Sequence, residues 1–334
     1  NLYIMSIQVK NLSKEFKIFK RDAGLRGAIK SFFNRKYEVF KAIESISLNI
    51  NDGEIIGILG ENGAGKTTLI KTLIGLLHPS NGSVSINGYS PWERKNDFLK
   101  SVSIVMGQKN QLWWDIPAGE SFLLNQKIYQ IPENQFNETL NEMLDLLDVR
   151  EKVNVQVRRL SLGERMKMEI IAALLHRPKI VFLDEPTIGL DVTSQSRIRE
   201  FIAKHNKDYG TTFLLTSHYM NDIQALCKRV FVIHKGEGLY DGDFDQLVKR
   251  INPKKRLQFE FSTQIENIDI EGILENQNIK LEKQSLIAEL PDSEITNLIK
   301  KLFEIDNPKS FLLEELPVEE TMKAFFANPE KFII

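Results

Sequence analysis

The stretch that decides the fold is GENGAGKTT, at residues 60–68. It fits the pattern G-x-x-x-x-G-K-[S/T] and stands between an apolar, strand-like run and a helix-like run, as the pattern requires. The glycines let successive backbone N–H groups turn towards a phosphate, and the following helix adds the positive end of its dipole. The motif predicts a phosphate cradle formed by Gly60, Glu61, Asn62, Gly63, Ala64, Gly65, Lys66, Thr67 and Thr68.

Two side chains of this cradle carry specific chemistry. Lys66 supplies a point charge to the β- and γ-phosphate oxygens, and the Thr67 hydroxyl can bind Mg²⁺. The alternative is a glycine-rich turn with an accidental lysine. A chance match in a chain of this length is on the order of one in a hundred from average composition, before the strand and helix are considered. We therefore reject the alternative.

A second motif, IVFLDEP at residues 180–186, is the usual companion of such a cradle. Its apolar run predicts a buried strand that delivers two carboxylates to the carboxyl edge of the sheet, where open α/β sheets bind ligands. Asp184 is expected to hold the magnesium shell. Glu185 is expected to polarise the attacking water.

Composition limits the remaining possibilities. The net charge of −1 argues against a dedicated nucleic-acid-binding protein. The single cysteine, Cys227, excludes an internal disulfide and fits a reducing compartment. No apolar run approaches the roughly 20 residues that a spanning helix needs. We expect a cytoplasmic chain, tethered to the inner face of the cell membrane through a partner.

The pattern of apolar runs divides the chain in two. Up to about residue 245, short unalternating runs such as EIIGILG (54–60) and KIVFLDE (179–185) alternate with helical patterns, which predicts a mainly parallel sheet covered by helices. After NPKK (252–255) the runs alternate and two helices follow. We predict a domain over residues 1–250 and a small α+β domain over residues 252–334.

A third stretch, LSLGER at residues 160–165, begins another helix. Ser161 and Glu164 have the spacing of a capping box, in which each side chain satisfies a backbone N–H of the first turn. Gly163 is not explained by the cap, because glycine in a helical turn costs stability relative to alanine. Something is expected to approach the backbone there.

Taken in order, GENGAGKTT, LSLGER, LDEPTIGLD and LTSH resemble the ATP-binding subunit of ABC transporters, over residues 7 to about 245. The resemblance implies a P-loop ATPase with a mainly parallel sheet, an antiparallel β part and a helical signature subdomain at about 109–178. It also implies that two chains stack head to tail and enclose two ATP molecules with Mg²⁺. The signature of the family reads LSGGQ; here Leu162 and Glu164 replace a glycine and the glutamine.

The same resemblance assigns roles to further residues. The γ-phosphate of ATP bound to the other chain would contact Ser161, Leu162, Gly163 and Glu164. Asp191 would couple the two sites, and His218 would contact the γ-phosphate. Phe16 in LSKEF would stack on adenine, with Phe19 as the alternative. Gln108 in VMGQKNQL would bind Mg²⁺ and sense the membrane subunit, with Gln111 as the alternative.

Two stretches predict membrane-side contacts. Trp113 and Trp114 follow Gln108 where the family docks its membrane subunit, and such aromatics are enriched at binding hot spots. The alternative is that one packs inside the helical subdomain and the other covers it. The insertion at residues 17–42 carries eight Lys or Arg, with Leu25, Ile29, Phe32 and Phe33 on one helical stripe. It predicts either an anionic-lipid contact or a solvated helix on its own domain.

These features resemble an exporter-type bacterial subfamily whose permease subunits are separate polypeptides. We therefore predict an ATPase that powers export as a dimer, with a second copy or a similar subunit, and with no nucleic-acid partner. An importer subunit is the first alternative. A soluble ABC-type ATPase is the second, and a catalytically inactive scaffold is the third. Lys66, Glu185 and His218 argue against the scaffold.

Overall fold

The computed structural model of the chain describes residues 5–19, 37–107, 109–262, 279–282, 284–305 and 307–332. The chain divides into two compact units, Asn1–Gly242 and Asp243–Ile334. Within the described residues, no helix is both long enough and apolar enough to span a bilayer.

A mixed sheet, nine-stranded over the described residues, organises the first unit, in the order β4-β1-β2-β9-β8-β3-β7-β6-β5. Its strands are β1 Met5–Phe19, β2 Tyr37–Asn51, β3 Ile55–Leu59, β4 Asn81–Ile86, β5 Val102–Met106, β6 Ile180–Asp184, β7 Thr212–Thr216, β8 Arg229–His234 and β9 Glu237–Asp243. The described helices are α1 Lys66–Leu73, α2 Asn96–Ser101, α3 Ala118–Tyr129, α4 Glu133–Leu146, α5 Leu162–Leu174, α6 Val192–Tyr209 and α7 Met220–Leu226.

The parallel part of this sheet confirms the prediction from the unalternating apolar runs. β3 pairs in parallel with β7 and β8, and β6 pairs in parallel with β5 and β7. Residues of β6 and β7 are buried on both faces, as continuous Ile, Val, Leu and Phe runs require. Because the strands are parallel, the residues after β3, β5, β6 and β7 meet at one edge of the sheet. The candidate site lies there.

The antiparallel part contains a long ladder of β1 and β2, which extends to the pair Phe19–Tyr37. Residues 17–19 and 37–42, at the two ends of the predicted basic insertion, are therefore strand residues. The physical reason is the β-type composition of those ends, where Ile18, Val39 and Phe40 favour strand pairing. The stripe of Leu25, Ile29, Phe32 and Phe33 lies outside the described residues.

The helices α3, α4 and α5 fall within residues 109–178, the range predicted for the helical subdomain. Their buried faces carry Phe122 of α3, Phe136 of α4 and Met166 of α5. Helix α5 is buried along most of its length, so its first turn is held firmly in place.

The second unit is an α+β domain, as predicted. Its antiparallel sheet has the order β11-β12-β10-β13, with β10 Lys254–Phe261, β11 Ile279–Glu282, β12 Ser285–Pro291 and β13 Pro308–Glu315. Its helices are α8 Phe244–Ile251, α9 Asp292–Ile305 and α10 Val318–Ala327. One sheet face, including Leu257, Phe259 and Phe261, packs with Ile295, Leu298 and Leu302 of α9.

Candidate nucleotide site

The cradle loop joins β3 to α1 and requires glycine at two positions. A Cβ on Gly60 would lie 2.3 Å from the carbonyl oxygen of Ile233, on β8. Gly65 has φ +112°, and a Cβ there would lie 2.6 Å from the carbonyl oxygen of Ala42, on β2. Glu61, Asn62 and Gly63 are exposed at the loop tip. The loop is thus packed closely onto neighbouring backbone and is open on its outer side.

Lys66 points back into this loop. Its Nζ donates hydrogen bonds to the carbonyl oxygens of Gly60, at 2.7 Å, and Glu61, at 3.0 Å. Its side chain is buried, and burial lowers the pKa of its ammonium although Glu185 and Asp184 oppose the shift. Charged phosphate oxygens are stronger acceptors than neutral carbonyls, so the buried cation is prepared for an anionic ligand.

Asp184 receives two hydroxyl groups at the end of β6. Thr67 Oγ1 donates to Asp184 Oδ2 at 3.0 Å, and Thr216 Oγ1 donates to Asp184 Oδ1 at 2.7 Å. Thr67 and Asp184 border a cleft of about 160 Å³. The residues that line it are Thr67, Lys71, Met106, Gly107, Lys109, Asp184 and Glu185. A hydroxyl beside a carboxylate fits the oxygen ligands that Mg²⁺ prefers. Gln108 lies outside the described residues.

Glu185 has a strained backbone, with φ +56°. The turn is held from two sides: the Glu185 N–H donates to both the carbonyl and the hydroxyl of Thr216, each at 3.0 Å. Gly107 packs beneath it so closely that a Cβ would lie 2.1 Å from the Glu185 carbonyl oxygen. Such strain persists only where the surroundings hold it, and it concentrates at functional sites.

His218 meets the carboxylate of Glu185. Its Nε2 lies 2.8 Å from Glu185 Oε1, and the two side chains are 37% and 15% exposed. The structure therefore brings together Lys66, Thr67, Asp184, Glu185 and His218, from three separate segments of the chain.

Sequence reasoning missed the carboxylate behind this pair. Asp222, on α7, is 1% exposed and accepts hydrogen bonds from Thr187 Oγ1 and, at 2.6 Å, from Ser217 Oγ. Arg199 Nη1 donates to its other oxygen at 2.8 Å. Thr187 follows Glu185 by two residues, and Ser217 directly precedes His218. Asp222 thus ties together the two turns that present the Glu185–His218 pair.

The tip of α5 confirms the predicted capping box. The Glu164 N–H donates to Ser161 Oγ at 3.2 Å, and the Ser161 N–H donates to Glu164 Oε2 at 2.9 Å. That backbone bond is the main cause that holds the pKa of Glu164 below its ordinary value, and Lys152, 3.1 Å away, adds to it. Ser161 is exposed and Leu162 is 38% exposed, so the tip is accessible.

Packing within the chain explains why position 163 is a glycine. A Cβ there would lie 2.4 Å from Ser194 Oγ and 3.5 Å from Asp191 Oδ2. Asp191 caps α6 by accepting from the Ser194 N–H at 2.9 Å and from its hydroxyl at 2.7 Å. The α5 tip and the α6 cap are therefore in contact, and the glycine makes that contact close.

Another buried carboxylate links α5 to the segment after Gln108. Glu169 is 2% exposed and accepts from the backbone N–H groups of Gln111, at 3.0 Å, and Leu112, at 3.2 Å. Burial raises its pKa. The Gln111 side chain donates to the Ile104 carbonyl, and its alternative magnesium role stays a prediction.

Three predicted contact residues lie apart from the cleft at Asp184. Trp113 and Trp114 are 62% and 45% exposed, and the Arg165 guanidinium lies 5.4 Å from the Trp114 ring. Neither indole is buried within the helical subdomain. Phe16 is half-buried, with the Lys14 ammonium 5.1 Å from its ring centroid. The side chain of Phe19 lies outside the described part.

Comparison with known proteins identifies the family of the chain. Residues 43–188 match the family model described as ABC transporter. The chain is 35% identical over 215 residues to the ABC transporter ATP-binding protein NatA of Bacillus subtilis, covering 64% of this chain and 87% of NatA. It is 33% identical over 230 residues to the bacitracin transport ATP-binding protein BcrA of Bacillus licheniformis, covering 69% and 73%.

Among solved structures, a dimeric ATP-binding cassette in a post-hydrolysis state with ADP and Pi matches with a TM-score of 0.58. The match has 23% identity and covers 71% of this chain and 98% of that one, so it shows the shared fold. The chain belongs to the ABC transporter family: it is an ATP-binding subunit with an ABC ATPase domain. The resemblance found in the sequence is confirmed.

Proposed function

We propose that this chain hydrolyses Mg-ATP between two ATPase subunits that close head to tail, and that closure drives export through separate permease subunits. The observation that carries the proposal is the pairing of His218 with Glu185, which lines the cleft of Thr67 and Asp184. A strained, twice-held carboxylate at the carboxyl edge of a parallel sheet is placed for chemistry rather than for packing.

The residues divide the hydrolytic step between them. Lys66 and the backbone N–H groups of the cradle bind the β- and γ-phosphates and neutralise charge that develops on them. Thr67 and Asp184 would hold Mg²⁺, with Gln108, and the ion would stabilise negative charge on the phosphate oxygens. Glu185 accepts the proton of the attacking water as the water oxygen bonds to the γ-phosphorus and the bond to the β–γ bridging oxygen breaks. His218 holds the Glu185 carboxylate in place.

The head-to-tail arrangement is supported by where the α5 tip lies. Among the described residues that line the Asp184 cleft, none belongs to Ser161–Glu164. The tip is nevertheless exposed, carries the positive end of a helix and is braced by Asp191 through Gly163. A triphosphate on a second copy is the ligand that suits it, and in that closed state Phe16 would stack on adenine.

Permease docking is supported by an apolar cleft of about 580 Å³ in the first unit. It is lined by Ile74, Leu76, Arg94, Asn96, Leu99, Lys100, Val102, Ser103, Ile104, Gln111, Ile128, Tyr129 and Gln130. Leu76 and Ile128 are 56% and 59% exposed, which is costly for large apolar side chains unless a partner covers them. The amphipathic helix of a membrane subunit fits a cleft of this kind. Trp113 and Trp114 would extend the same contact.

Glu169 supplies a route from that docking region to the nucleotide. It fixes Gln111, which lines the docking cleft, to helix α5, whose first turn is the proposed contact with ATP on the second copy. A shift of the docked helix would therefore displace the α5 tip, because the buried carboxylate of Glu169 connects the two regions.

Export rather than import is supported by the resemblance of residues 183–192 and 215–230 to the exporter-type subfamily. The two directions differ in their components, because importers need a dedicated extracellular binding protein. The anionic-lipid contact of the insertion at 17–42 stays a prediction, and so does the location of the chain at the inner face of the membrane.

The test is to purify the chain carrying Glu185→Gln from native membranes in detergent with Mg-ATP, beside a Glu185→Gln, Leu76→Asp, Ile128→Asp variant. We expect two integral-membrane polypeptides, or two copies of one, to co-purify with the first variant and to be lost from the second. Recovery without any membrane polypeptide would contradict the transporter assignment. An associated extracellular binding protein would contradict export.

A further inference from the structure

The outer strand of the C-terminal sheet has a free edge. β13 (Pro308–Glu315) pairs with β10 on one side, and no described strand pairs with its other side. In an antiparallel ladder, every second residue of a strand directs its backbone N–H and C=O away from the neighbouring strand. Among the described residues, β13 therefore has unpaired backbone groups on about every second one of its eight residues.

The middle of this edge is apolar and exposed. Phe311, Leu312 and Leu313, at its centre, are 52%, 52% and 41% exposed. Phe311 stands opposite the buried Phe259 in the ladder and also meets Phe303 of α9, with ring centroids 5.7 Å apart. Phe303 is itself 43% exposed. Natural edges are normally blocked by a central charge, a proline or a bulge. Here Pro308 and the register shift beside it lie at one end of the strand, so they leave its apolar middle open.

The order of residues along β13 is complementary to itself. The segment from Lys309 to Glu315 reads KSFLLEE, with its cation at one end and its carboxylates at the other. If two copies of β13 pair antiparallel with Leu312 opposite Leu312, Lys309 lies opposite Glu315 of the second copy. Phe311 then lies opposite Leu313 of the second copy, on the face that carries α9.

We propose that β13 is a homotypic docking edge, through which two copies of this chain join their C-terminal sheets about Leu312. The backbone groups supply the affinity, and the apolar centre is removed from water on both faces. Lys309 and Glu315 already have ion pairs within their own sheet, with Glu260 and Lys255, and are 66% and 71% exposed. Their cross-interface pairing sets register rather than affinity.

The pairing has two consequences that separate it from closure around ATP. It requires no nucleotide, because none of its residues belongs to the candidate nucleotide site. It is also weak alone, because an eight-residue edge falls below the roughly 1,200 Å² of a stable interface. Two copies held close by other contacts would pair readily, since linkage raises their effective concentration.

The test is disulfide cross-linking of the full chain without nucleotide, in a Cys227→Ala background. Leu312→Cys places a thiol opposite itself, within the Cα separation of about 7 Å that a disulfide allows. Ser310→Cys and Glu314→Cys are matched controls on the same strand face, because each lies about 14 Å from its own copy at about 3.4 Å per residue. They lie opposite each other, so only their mixture should cross-link.

We expect dimers from Leu312→Cys alone and from the Ser310→Cys plus Glu314→Cys mixture, at least tenfold above either control alone. Equal cross-linking of all variants would overturn the proposed register, and no cross-linking of Leu312→Cys would overturn the proposal. Leu312→Lys provides an independent check by sedimentation. It should weaken nucleotide-free self-association at least tenfold while the circular dichroism spectrum is unchanged, and unaltered association would overturn the proposal.

Discussion

His218 Nε2 lies 2.8 Å from Oε1 of Glu185, across the carboxyl ends of β7 and β6. The two residues are brought together by strand register, because Asp184 and Thr216 are direct neighbours in the parallel ladder. The positive φ of Glu185 then turns its side chain towards the histidine. A carboxylate held in this way is pre-organised, so little rearrangement is needed when ATP and water arrive.

Replacing this carboxylate should stop hydrolysis without preventing nucleotide binding. In Glu185→Gln, the amide keeps the size of the side chain but cannot accept the proton of water. We expect kcat to fall about 10²- to 10⁴-fold, the range of general-base contributions, with ATP affinity within about twofold. Steady-state phosphate release and fluorescent-ATP titration measure the two quantities. Glu200→Gln, an exposed change on α6, is the control, and unchanged turnover in Glu185→Gln would contradict the assignment.

Asp222 is expected to act through the residues that it positions. In Asp222→Asn, one carboxylate oxygen becomes a donor that faces other donors, from Thr187, Ser217 or Arg199. Breaking a buried charged network of this kind costs about 2–4 kcal/mol of unfolding free energy. We further expect kcat to fall at least tenfold with little change in the KM for ATP, because Lys66 and the cradle are untouched.

Asp208→Asn is the matched control for that change. Asp208 pairs with Lys204 on an exposed turn of α6, with side chains 37% and 47% exposed. Solvent screens an exposed pair of this kind, so stability and turnover should be nearly unchanged. If Asp222→Asn lowered stability but left kcat at its wild-type value, Asp222 would be structural only.

Substitution of Gly163 tests whether the lack of a side chain there is needed for packing within the chain or for contact with ATP on a second copy. Gly163→Ala places a Cβ 2.4 Å from Ser194 Oγ, and overpacking of this kind costs about 1–3 kcal/mol. Adding Ser194→Gly to Gly163→Ala removes both the hydroxyl and the Cβ that the new methyl would meet. The thermal midpoint of the double variant should therefore return towards the wild-type value. If the backbone also approaches a nucleotide on the second copy, ATPase activity should stay low in the double variant. Full recovery of activity would show that the glycine is needed only within the chain.

Glu164 predicts a pH dependence of stability. Its pKa is depressed in the folded chain, so its charged form stabilises the fold above its ordinary pKa of about 4.5, and this contribution is lost as pH falls through the folded pKa. Glu164→Gln should therefore cost about 0.5–1 kcal/mol at pH 7, as expected for a carboxylate in a first turn. The difference should shrink below pH 4. Denaturant unfolding at both pH values measures it, with Glu151→Gln as a control, and a constant difference would contradict the capping role.

The fold and the centre of the site follow from short, local patterns. A stretch of at most nine residues is enough to predict the structure of GENGAGKTT, of IVFLDEP and of the Ser161–Glu164 cap. The reason is that backbone conformation and strand burial are set locally there. Asp222 and Glu169 could not be found in this way, because their partners are tertiary neighbours: Arg199 lies 23 residues from Asp222, and Gln111 lies 58 from Glu169.

Two further differences have the same origin. The reason for Gly163 is Ser194, on another helix, and only the packing of α5 against α6 reveals it. The backbone at the ends of the basic insertion does not follow from its charge, because cross-strand pairs such as Phe16–Phe40 decide its conformation. A pattern of charged residues indicates which residues are exposed to solvent, but it does not determine their backbone conformation.

The central claim is that each ATP lies between the cradle of one copy and the Ser161 tip of another. The most direct measurement is the molar mass of the chain carrying Glu185→Gln and Leu312→Lys, determined by light scattering with and without saturating Mg-ATP. Leu312→Lys removes the contact proposed for β13, and Ser161→Arg added to this pair is the control. The account predicts that Mg-ATP doubles the mass and that the Ser161→Arg control stays monomeric while still binding ATP. A chain that remains monomeric at saturating Mg-ATP, or a control that dimerises equally well, would contradict the account.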